Sequence, residues 1–357
     1  MKDANGKNII IMAGGTGGHV FPALAVALEM RERGWQVSWL GTRKGLESRV
    51  ASANNIAIDW IAVEGIRGKG LTSKFKAIIN LLLACKQAMR ILKQRKPNIV
   101  LGMGGFVAGP GGLMARLLGI PLVIHEQNRI PGTTNRLLAK LAASKVLEAF
   151  PDSFPKSAAA ICTGNPLRKA FQNLPEKMPW LPETGRSLRV LVLGGSQGAK
   201  VLNENVPDAL AGFVNLEIKH QTGEAMQIAV AERYQVLGLR AEISAFIEDM
   251  CATYQWADLI ICRAGAMTVS EVAANGLPAV FVPFMYAIDD HQTANARYLS
   301  DDGAAFLLPQ SDLTIESLRK VIEQAMKSLS TMIPVAHCKA RLNATKEVAD
   351  ICEAEAA

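Results

Sequence analysis

Residues 8–22 read NIIIMAGGTGGHVFP, and they predict the architecture of the whole chain. The apolar run at 8–12 is typical of a strand buried on both faces of a parallel sheet. The glycines after it allow a sharp turn and a close approach of the backbone to a ligand, and a helical pattern follows, with Pro22 expected in its first turn. Because a helix N-terminus behind such a loop binds anions, the segment predicts a phosphate or sugar site. A purely structural tight turn is the alternative.

The composition fits a globular protein of two domains. The chain has 357 residues, of which 49% are hydrophobic and 20% charged. It contains no apolar run near the roughly 20 residues of a membrane span, and its N-terminus lacks an apolar signal core, so we expect a cytoplasmic protein. The six cysteines form no CxxC pair, which argues against a zinc site or disulfides and favours a reducing compartment. A net charge of +7 leaves nucleic acid, a membrane surface or an anionic substrate as partners.

The segment 66–96 concentrates the positive charge, with nine Lys and Arg and no Asp or Glu. Its apolar residues recur at helical spacing, so one interpretation is a core-facing helix with a solvated basic back. The other interpretation adds a membrane contact, in which Leu71, Phe75 and Ile79 enter the lipid interface while nearby lysines meet anionic headgroups. Nucleic acid is disfavoured because the segment lacks interleaved aromatic residues for base stacking.

Two more loops of the first half follow predicted strands. The sequence GMGGFVAGPGG at 102–112 follows a strand at 98–101, and HEQN at 125–128 follows a strand at 121–124. Because the carboxyl ends of parallel strands share one edge of a sheet, both loops are expected to face one crevice. A turn role is the alternative for Asn128.

The second half repeats the opening pattern. The sequence LRVLVLGGSQGA at 188–199 is again an apolar strand followed by a glycine loop. Further on, CRAGAMTVSE at 262–271 begins a helix in which Thr268 and Glu271 share one face. They form either a capping box or a donor site, with the helix N-terminus on a phosphate and Glu271 on ribose hydroxyls.

We therefore predict an α/β protein with two Rossmann-like domains and parallel sheets facing a central cleft, the default ligand site. The expected bounds are 1–163 for the first domain and 164–340 for the second. A C-terminal helix at 341–357 is expected to pack back on the first domain.

Seven segments resemble, in order, those of the MurG family of glycosyltransferases, over nearly the whole chain from residue 8 to about 308. They are GGTGGHVFPALAVA, GMGGFVAGPGG, HEQN, GNPLR, GGSQGA, CRAGAMTVSE and DDHQTANA. This family transfers N-acetylglucosamine (GlcNAc) from UDP-GlcNAc to lipid I, which makes lipid II for peptidoglycan. The resemblance implies the GT-B fold, no obligatory metal or other cofactor, and a peripheral location on the cytoplasmic side of the inner membrane. The implied partners are UDP-GlcNAc, lipid I, an anionic membrane surface and other cell-wall synthesis proteins, with no nucleic acid.

The resemblance also implies which residues bind the substrates. The acceptor diphosphate is expected on Gly14, Gly15, Gly104 and Gly105. His291 stands where the family often has a glutamine, so any role of that glutamine is not carried over. Donor contacts are expected from Thr16, Gly17, Gly18, Asn128, Arg168, Ser196, Ile247, Ala266, Met267, Thr268, Val269, Ser270, Glu271 and Gln292.

The expected chemistry is a single inverting displacement. The acceptor's C4 hydroxyl attacks the anomeric carbon, and UDP leaves while helix N-termini and Arg or Ser donors stabilise its charge without a metal. A general base must take the hydroxyl proton. His19 is the predicted base because it follows the glycine loop and imidazole titrates near neutral pH. His125 and Glu126 are the alternatives.

Three other functions are alternatives to this one. An epimerase or another UDP-sugar enzyme of the same fold would act without this acceptor, and a nucleotide-binding module would bind UDP-GlcNAc without turnover. A nicotinamide oxidoreductase is disfavoured because the first loop misses the G-x-G-x-x-G spacing and the second strand ends in Leu40-Gly41-Thr42, without an acid.

Overall fold

The computed structural model describes residues 6–63, 71–194 and 199–357, with the backbone alone at 71–78, 184 and 288. The chain divides into two compact units. Unit 1 comprises residues 1–168 and 342–357, and unit 2 comprises residues 169–341. The boundaries expected from the sequence followed residues 163 and 340.

The strands of the described residues form two parallel sheets, one in each unit. Those of unit 1 are β1 (Asn8–Met12), β2 (Gln36–Gly41), β3 (Ala57–Trp60), β4 (Ile99–Gly102), β5 (Leu122–Glu126), β6 (Lys145–Glu148) and β7 (Ile161–Cys162). Those of unit 2 are β8 (Leu188–Leu193), β9 (Leu216–Gln221), β10 (Ala241–Ser244), β11 (Leu259–Cys262), β12 (Ala279–Phe281) and β13 (Ala305–Leu307). Their spatial orders are β3-β2-β1-β4-β5-β6-β7 and β10-β9-β8-β11-β12-β13. The predicted α/β class with two Rossmann-like sheets is confirmed.

Helices connect the strands in both units. The helices before β8 are α1 (Gly17–Glu32), α2 (Leu46–Ala53), α3 (Leu71–Arg95), α4 (Ala108–Leu117) and α5 (Thr133–Leu141). Those after β8 are α6 (Lys200–Leu210), α7 (Gln227–Val236), α8 (Met250–Trp256), α9 (Ala266–Ala274), α10 (His291–Ser300), α11 (Ile315–Cys338) and α12 (Ala344–Glu355). In the described part of the chain, none of these helices has the length and apolar character needed to cross a bilayer.

Strand β1 is apolar throughout because both faces of its sheet are covered. Its alternate residues enter different cores. Ile9 and Ile11 pack in a core shared with α1 and α12, whereas Ile10 and Met12 pack in a core shared with α3, α4 and α5. Unit 1 is therefore a three-layer α/β/α unit with β1 near its centre.

Strand order reverses at one point in each sheet. The reversal falls between β1 and β4 in unit 1, and between β8 and β11 in unit 2. Ligands of open α/β sheets bind at the carboxyl ends of the strands beside such a point. The loops after β1 and β4, and the N-terminus of α9 after β11, are therefore the places where a ligand is expected.

Helix α12 returns to unit 1 and is held there by side-chain contacts as well as by its core residues. The Trp35 indole donates to Glu353 Oε1 (2.8 Å), and Arg33 pairs with Asp350 (2.6 Å) and Glu353 (2.9 Å). The last helix of the chain thus becomes part of the first unit.

Two local expectations are wrong. Helix α1 already begins at Gly17, so Pro22 lies beyond its first turn. Strand β5 extends to Glu126, so His125 and Glu126 lie inside the buried strand rather than after it. Their polar groups are tolerated there because neighbouring loops supply hydrogen-bond partners.

Candidate active site

The two glycine loops of unit 1 meet backbone to backbone beside the strand reversal. Gly104 and Gly105 have φ values of +98° and +80°, a region that favours glycine. A Cβ on Gly105 would overlap the carbonyl oxygen of Gly14, so a side chain there would separate the loops. Gly15 is exposed, and a Cβ added to it would meet nothing within 4 Å. Of the predicted acceptor glycines, Gly15 is exposed and Gly105 is half-buried, whereas Gly14 and Gly104 are buried.

A buried carboxylate that no sequence motif marks supports this loop. Glu47, in the first turn of α2, is fully buried. Its Oε2 accepts from the Gly15 amide (3.1 Å), and its Oε1 accepts from the Thr42 amide (2.9 Å) and hydroxyl (2.7 Å). The Gly15 N–H is therefore already committed, so any anion bound here would have to use other donors. The acceptor role of this loop stays a prediction.

His19 lies half-buried in the first turn of α1, after exposed Thr16 and half-buried Gly17 and Gly18. Its Nδ1 lies 2.6 Å from Gln127 Oε1. A Cβ on Gly104 would lie 2.9 Å from the same nitrogen, so the glycine makes room for the ring. The ring is thus fixed on its Nδ1 side.

Behind His19, Gln127 and His125 are fully buried. Gln127 Nε2 donates to His125 Nδ1 and to the His125 carbonyl, both at 3.0 Å, and His125 Nε2 lies 2.9 Å from the Gly164 carbonyl oxygen. Burial lowers the pKa of His125 to about 4, although the bond to Gly164 and the charge of Glu126 oppose this change. A buried imidazole with both nitrogens engaged is a poor candidate for the base.

Glu126 is also buried, and its carboxylate organises its own loop. Oε1 accepts from the amide (2.9 Å) and Nδ2 (3.2 Å) of Asn128, and Oε2 accepts from the Gly132 amide (3.0 Å) and Asn135 Nδ2 (2.9 Å). These four bonds favour a structural role for Glu126, which holds Asn128 half-exposed at the sheet edge. The catalytic role of Glu126 stays a prediction.

In unit 2, six of the predicted donor residues, 266–271, lie in the first two turns of α9. The N-cap of this helix is Gly265, so Thr268 occupies the third helical position and the capping-box alternative is wrong. Glu271 is half-buried, and its Oε2 accepts from the Tyr254 hydroxyl (3.1 Å). Ala266 and Val269 are buried, whereas Met267, Thr268 and Ser270 are half-exposed.

Tyr254 is a second residue that the sequence did not single out. Its ring is buried and stacks edge-on against Phe171 at 5.9 Å between centroids. Since the ring is held in this way, its hydroxyl fixes one oxygen of Glu271.

Two other predicted donor residues of unit 2 lie outside α9. Half-buried Ile247 follows β10. Gln292, in the first turn of α10, accepts from the Phe284 amide through Oε1 (2.9 Å). The sugar contact of Gln292 stays a prediction. Arg168 is half-buried at the end of unit 1, and Ser196 lies outside the described residues.

Helix α4 packs against α3 and against α5, and the three helices expose apolar side chains, which we call the α3–α5 face. Their sequences contain nine Lys and Arg and no Asp or Glu. Predicted Ile79 is exposed, whereas the side chains of Leu71 and Phe75 lie outside the description. The exposed large apolar side chains of the face are Ile79, Leu81, Leu82, Leu83, Leu113, Leu117, Leu137 and Leu141.

Within the described ranges, no group of three or more His, Cys, Asp or Glu side chains is arranged to hold a metal ion. Metal independence stays a prediction.

The chain matches known proteins along nearly its full length. Residues 9–146 match the glycosyltransferase family 28 N-terminal domain, and residues 189–353 match the corresponding C-terminal domain. A protein of Methylococcus capsulatus is 59% identical over 356 residues, covering 98% of this chain and 99% of that protein. It is named UDP-N-acetylglucosamine–N-acetylmuramyl-(pentapeptide) pyrophosphoryl-undecaprenol N-acetylglucosamine transferase.

Two further relatives agree with this match. A Pseudomonas putida protein of the same name is 50% identical, with 98% of each chain covered. The crystal structure of Acinetobacter baumannii MurG has a TM-score of 0.83 and 45% identity, covering 98% of this chain and 99% of that one.

Proposed function

The chain belongs to glycosyltransferase family 28 and, through its near-full-length relatives, to the MurG family, and we propose from this that it is an N-acetylglucosaminyltransferase. The donor is UDP-GlcNAc, and the acceptor hydroxyl is C4 of the N-acetylmuramic acid in lipid I. The products are lipid II and UDP. The observation that carries this proposal is the 59% identity, over nearly the full length, to a relative named for this transfer.

Unit 2 supplies the donor contacts in this proposal. Glu271, fixed by Tyr254, accepts hydrogen bonds from ribose hydroxyls, and Gln292 donates from Nε2 to a sugar oxygen. The N-terminus of α9 favours negative charge because its amide groups and helix dipole point outward. The same interactions stabilise the charge that develops on UDP as its bond to the sugar breaks. This electrostatic route requires no metal, so added chelator is expected to leave turnover unchanged.

Unit 1 supplies the general base. His19 is the choice because its ring is half-exposed at the glycine loop, whereas His125 and Glu126 are buried and engaged in hydrogen bonds. As the C4 oxygen bonds to the anomeric carbon, its proton passes to His19. A positioned base contributes about 100- to 10,000-fold to the rate.

The α3–α5 face is the proposed contact with the cytoplasmic leaflet of the inner membrane. Leu82, Leu117 and Leu141 are 65%, 64% and 56% exposed, one on each helix. Apolar side chains beside Lys and Arg, without any acid, match an anionic lipid surface, where each basic residue contributes about 1 kcal/mol. This contact brings the enzyme to an acceptor whose polyprenyl tail stays in the bilayer.

Vesicle sedimentation tests the membrane contact. Replacing Leu82, Leu117 and Leu141 with serine should reduce binding to vesicles that contain anionic phospholipid. The matched control replaces Ile228 and Val236, both 76% exposed on α7 of unit 2, and should bind as the wild type does. Equal vesicle binding by the wild type, the leucine-to-serine variant and the control would contradict a membrane contact through the α3–α5 face.

A coupled assay of UDP release tests the reaction. UDP should appear from UDP-GlcNAc only when a lipid I analogue is present. UDP release without the acceptor, together with free sugar, would instead indicate an epimerase. Binding of UDP-GlcNAc without any release of UDP would indicate a nucleotide-binding module.

A further inference from the structure

A chain of four hydrogen-bonding groups runs from the loop of unit 1 into its buried interior. It links His19 Nδ1 to Gln127 Oε1 (2.6 Å), Gln127 Nε2 to His125 Nδ1 (3.0 Å), and His125 Nε2 to the Gly164 carbonyl (2.9 Å). Gln127 and His125 are fully buried, so water does not compete for these groups. Of these four residues, only His19 is partly exposed to solvent.

Two carbonyl oxygens fix the direction of every bond, because a carbonyl can only accept. Gln127 Nε2 lies 3.0 Å from the His125 carbonyl, so the amide nitrogen faces that side and Oε1 faces His19. The Gly164 carbonyl requires the proton of His125 on Nε2, so His125 Nδ1 accepts from Gln127. Gln127 Oε1 can then only accept, and His19 Nδ1 must donate to it.

We propose that Gln127 is a positioning residue for the transfer reaction, which holds His19 in the Nδ1–H tautomer and leaves the lone pair on Nε2. This inference rests on the proposed function. In the reaction, the proton of the acceptor hydroxyl moves to His19 Nε2 while the hydroxyl oxygen bonds to the anomeric carbon. The bond from that carbon to the UDP phosphate oxygen breaks, and its electron pair leaves with UDP.

Gln127 suits this task because its buried partner, His125, keeps one protonation state. His125 is neutral at physiological pH, since burial lowers its pKa to about 4. A neutral His125 with its proton on Nε2 always offers Nδ1 as an acceptor, so the Gln127 amide does not rotate. Gly104, next to the same Nδ1, leaves space for the ring. Imidazole in water prefers the Nε2–H tautomer, so the network selects the less common form.

Nitrogen NMR of the histidine rings in the full-length protein tests the tautomer directly. The chain has five histidines, so the loss of one ring's signals in His19→Gln identifies His19. His19 should show a protonated Nδ1 and a bare Nε2. His220 is an internal reference of the opposite kind. Its Nε2 donates to Asn203 Oδ1 (3.1 Å) and its Nδ1 accepts from the Tyr234 hydroxyl (3.1 Å).

The variant Gln127→Leu removes the acceptor and keeps an apolar side chain of similar length. The His19 ring should shift toward the Nε2–H form while the His220 signals stay unchanged. The value of kcat should fall about 10- to 100-fold, part of what a general base supplies, and the KM for UDP-GlcNAc should stay within about twofold. A structural role alone would not move the tautomer of His19.

The outcomes separate this inference from the proposed function. A wild-type His19 protonated mainly on Nε2 would overturn the role of Gln127, whether or not the protein transfers GlcNAc. The predicted tautomer in a protein that never forms lipid II would instead contradict the proposed function. If Gln127→Leu does not fold, the wild-type spectrum still shows which nitrogen of His19 carries the proton and so tests the inference. If it folds and changes neither the tautomer nor kcat, Gln127 positions nothing.

Discussion

Replacing Glu47 should loosen the first glycine loop and destabilise unit 1. Its carboxylate accepts three hydrogen bonds, two from Thr42 and one from Gly15. Gly15 is exposed, so its amide regains a water partner in Glu47→Ala, whereas the half-buried Thr42 donors are only partly rehydrated. A buried donor left without a partner costs about 1–3 kcal/mol. Because both Thr42 donors lose their acceptor, the free energy of unfolding should fall by about 2–4 kcal/mol.

Thermal unfolding followed by circular dichroism measures this loss. At roughly 2–4 °C per kcal/mol for a unit of this size, the Tm of unit 1 should fall by about 5–15 °C. Glu47→Gln should lose less, because one carbonyl oxygen still serves Thr42 while its amide group faces the Gly15 N–H. The control Glu347→Ala, at an exposed position of α12, should change the Tm little. An unchanged Tm in Glu47→Ala would refute the idea that this carboxylate holds the loop.

Three other substitutions test separate parts of the account. His19→Ala should lower kcat about 100- to 10,000-fold with nearly unchanged UDP affinity, and normal turnover would remove it as the base. Tyr254→Phe should raise the KM for UDP-GlcNAc about threefold to tenfold by releasing Glu271 from one hydrogen bond; an unaltered KM would count against the ribose contact. Glu353→Ala should lower the free energy of unfolding by about 1–2 kcal/mol, since Trp35 loses its acceptor, and denaturant titration would detect the change or its absence.

The strand-and-loop plan of both units followed from local patterns. The apolar run of β1 predicted a doubly covered strand, and its residues do alternate between two cores. The apolar strand predicted at the start of LRVLVLGGSQGA is observed as β8, at Leu188–Leu193. Such features depend on a few neighbouring residues, so the sequence alone reveals them.

The contacts that tune the site depend on residues distant in sequence. The predicted tautomer of His19 depends on Gln127, 108 positions away, and on the carbonyl of Gly164. The HEQN segment was expected to follow a strand that ends at residue 124, but β5 extends to Glu126. The expectation was wrong since loop amides and Gly164 satisfy these groups. Glu47 was missed for the same reason, because no motif marks its distant partner Gly15.

The most direct test of the account is the identity of the lipid product. The purified chain is incubated with UDP-GlcNAc and a lipid I analogue, with chelator present, and the lipid fraction is analysed by mass spectrometry and NMR. We expect an acceptor that is heavier by one N-acetylhexosamine, β-linked to the C4 oxygen of its muramic acid. One UDP should be released for each product formed. An unmodified acceptor, an α-linkage or attachment at another hydroxyl would contradict it.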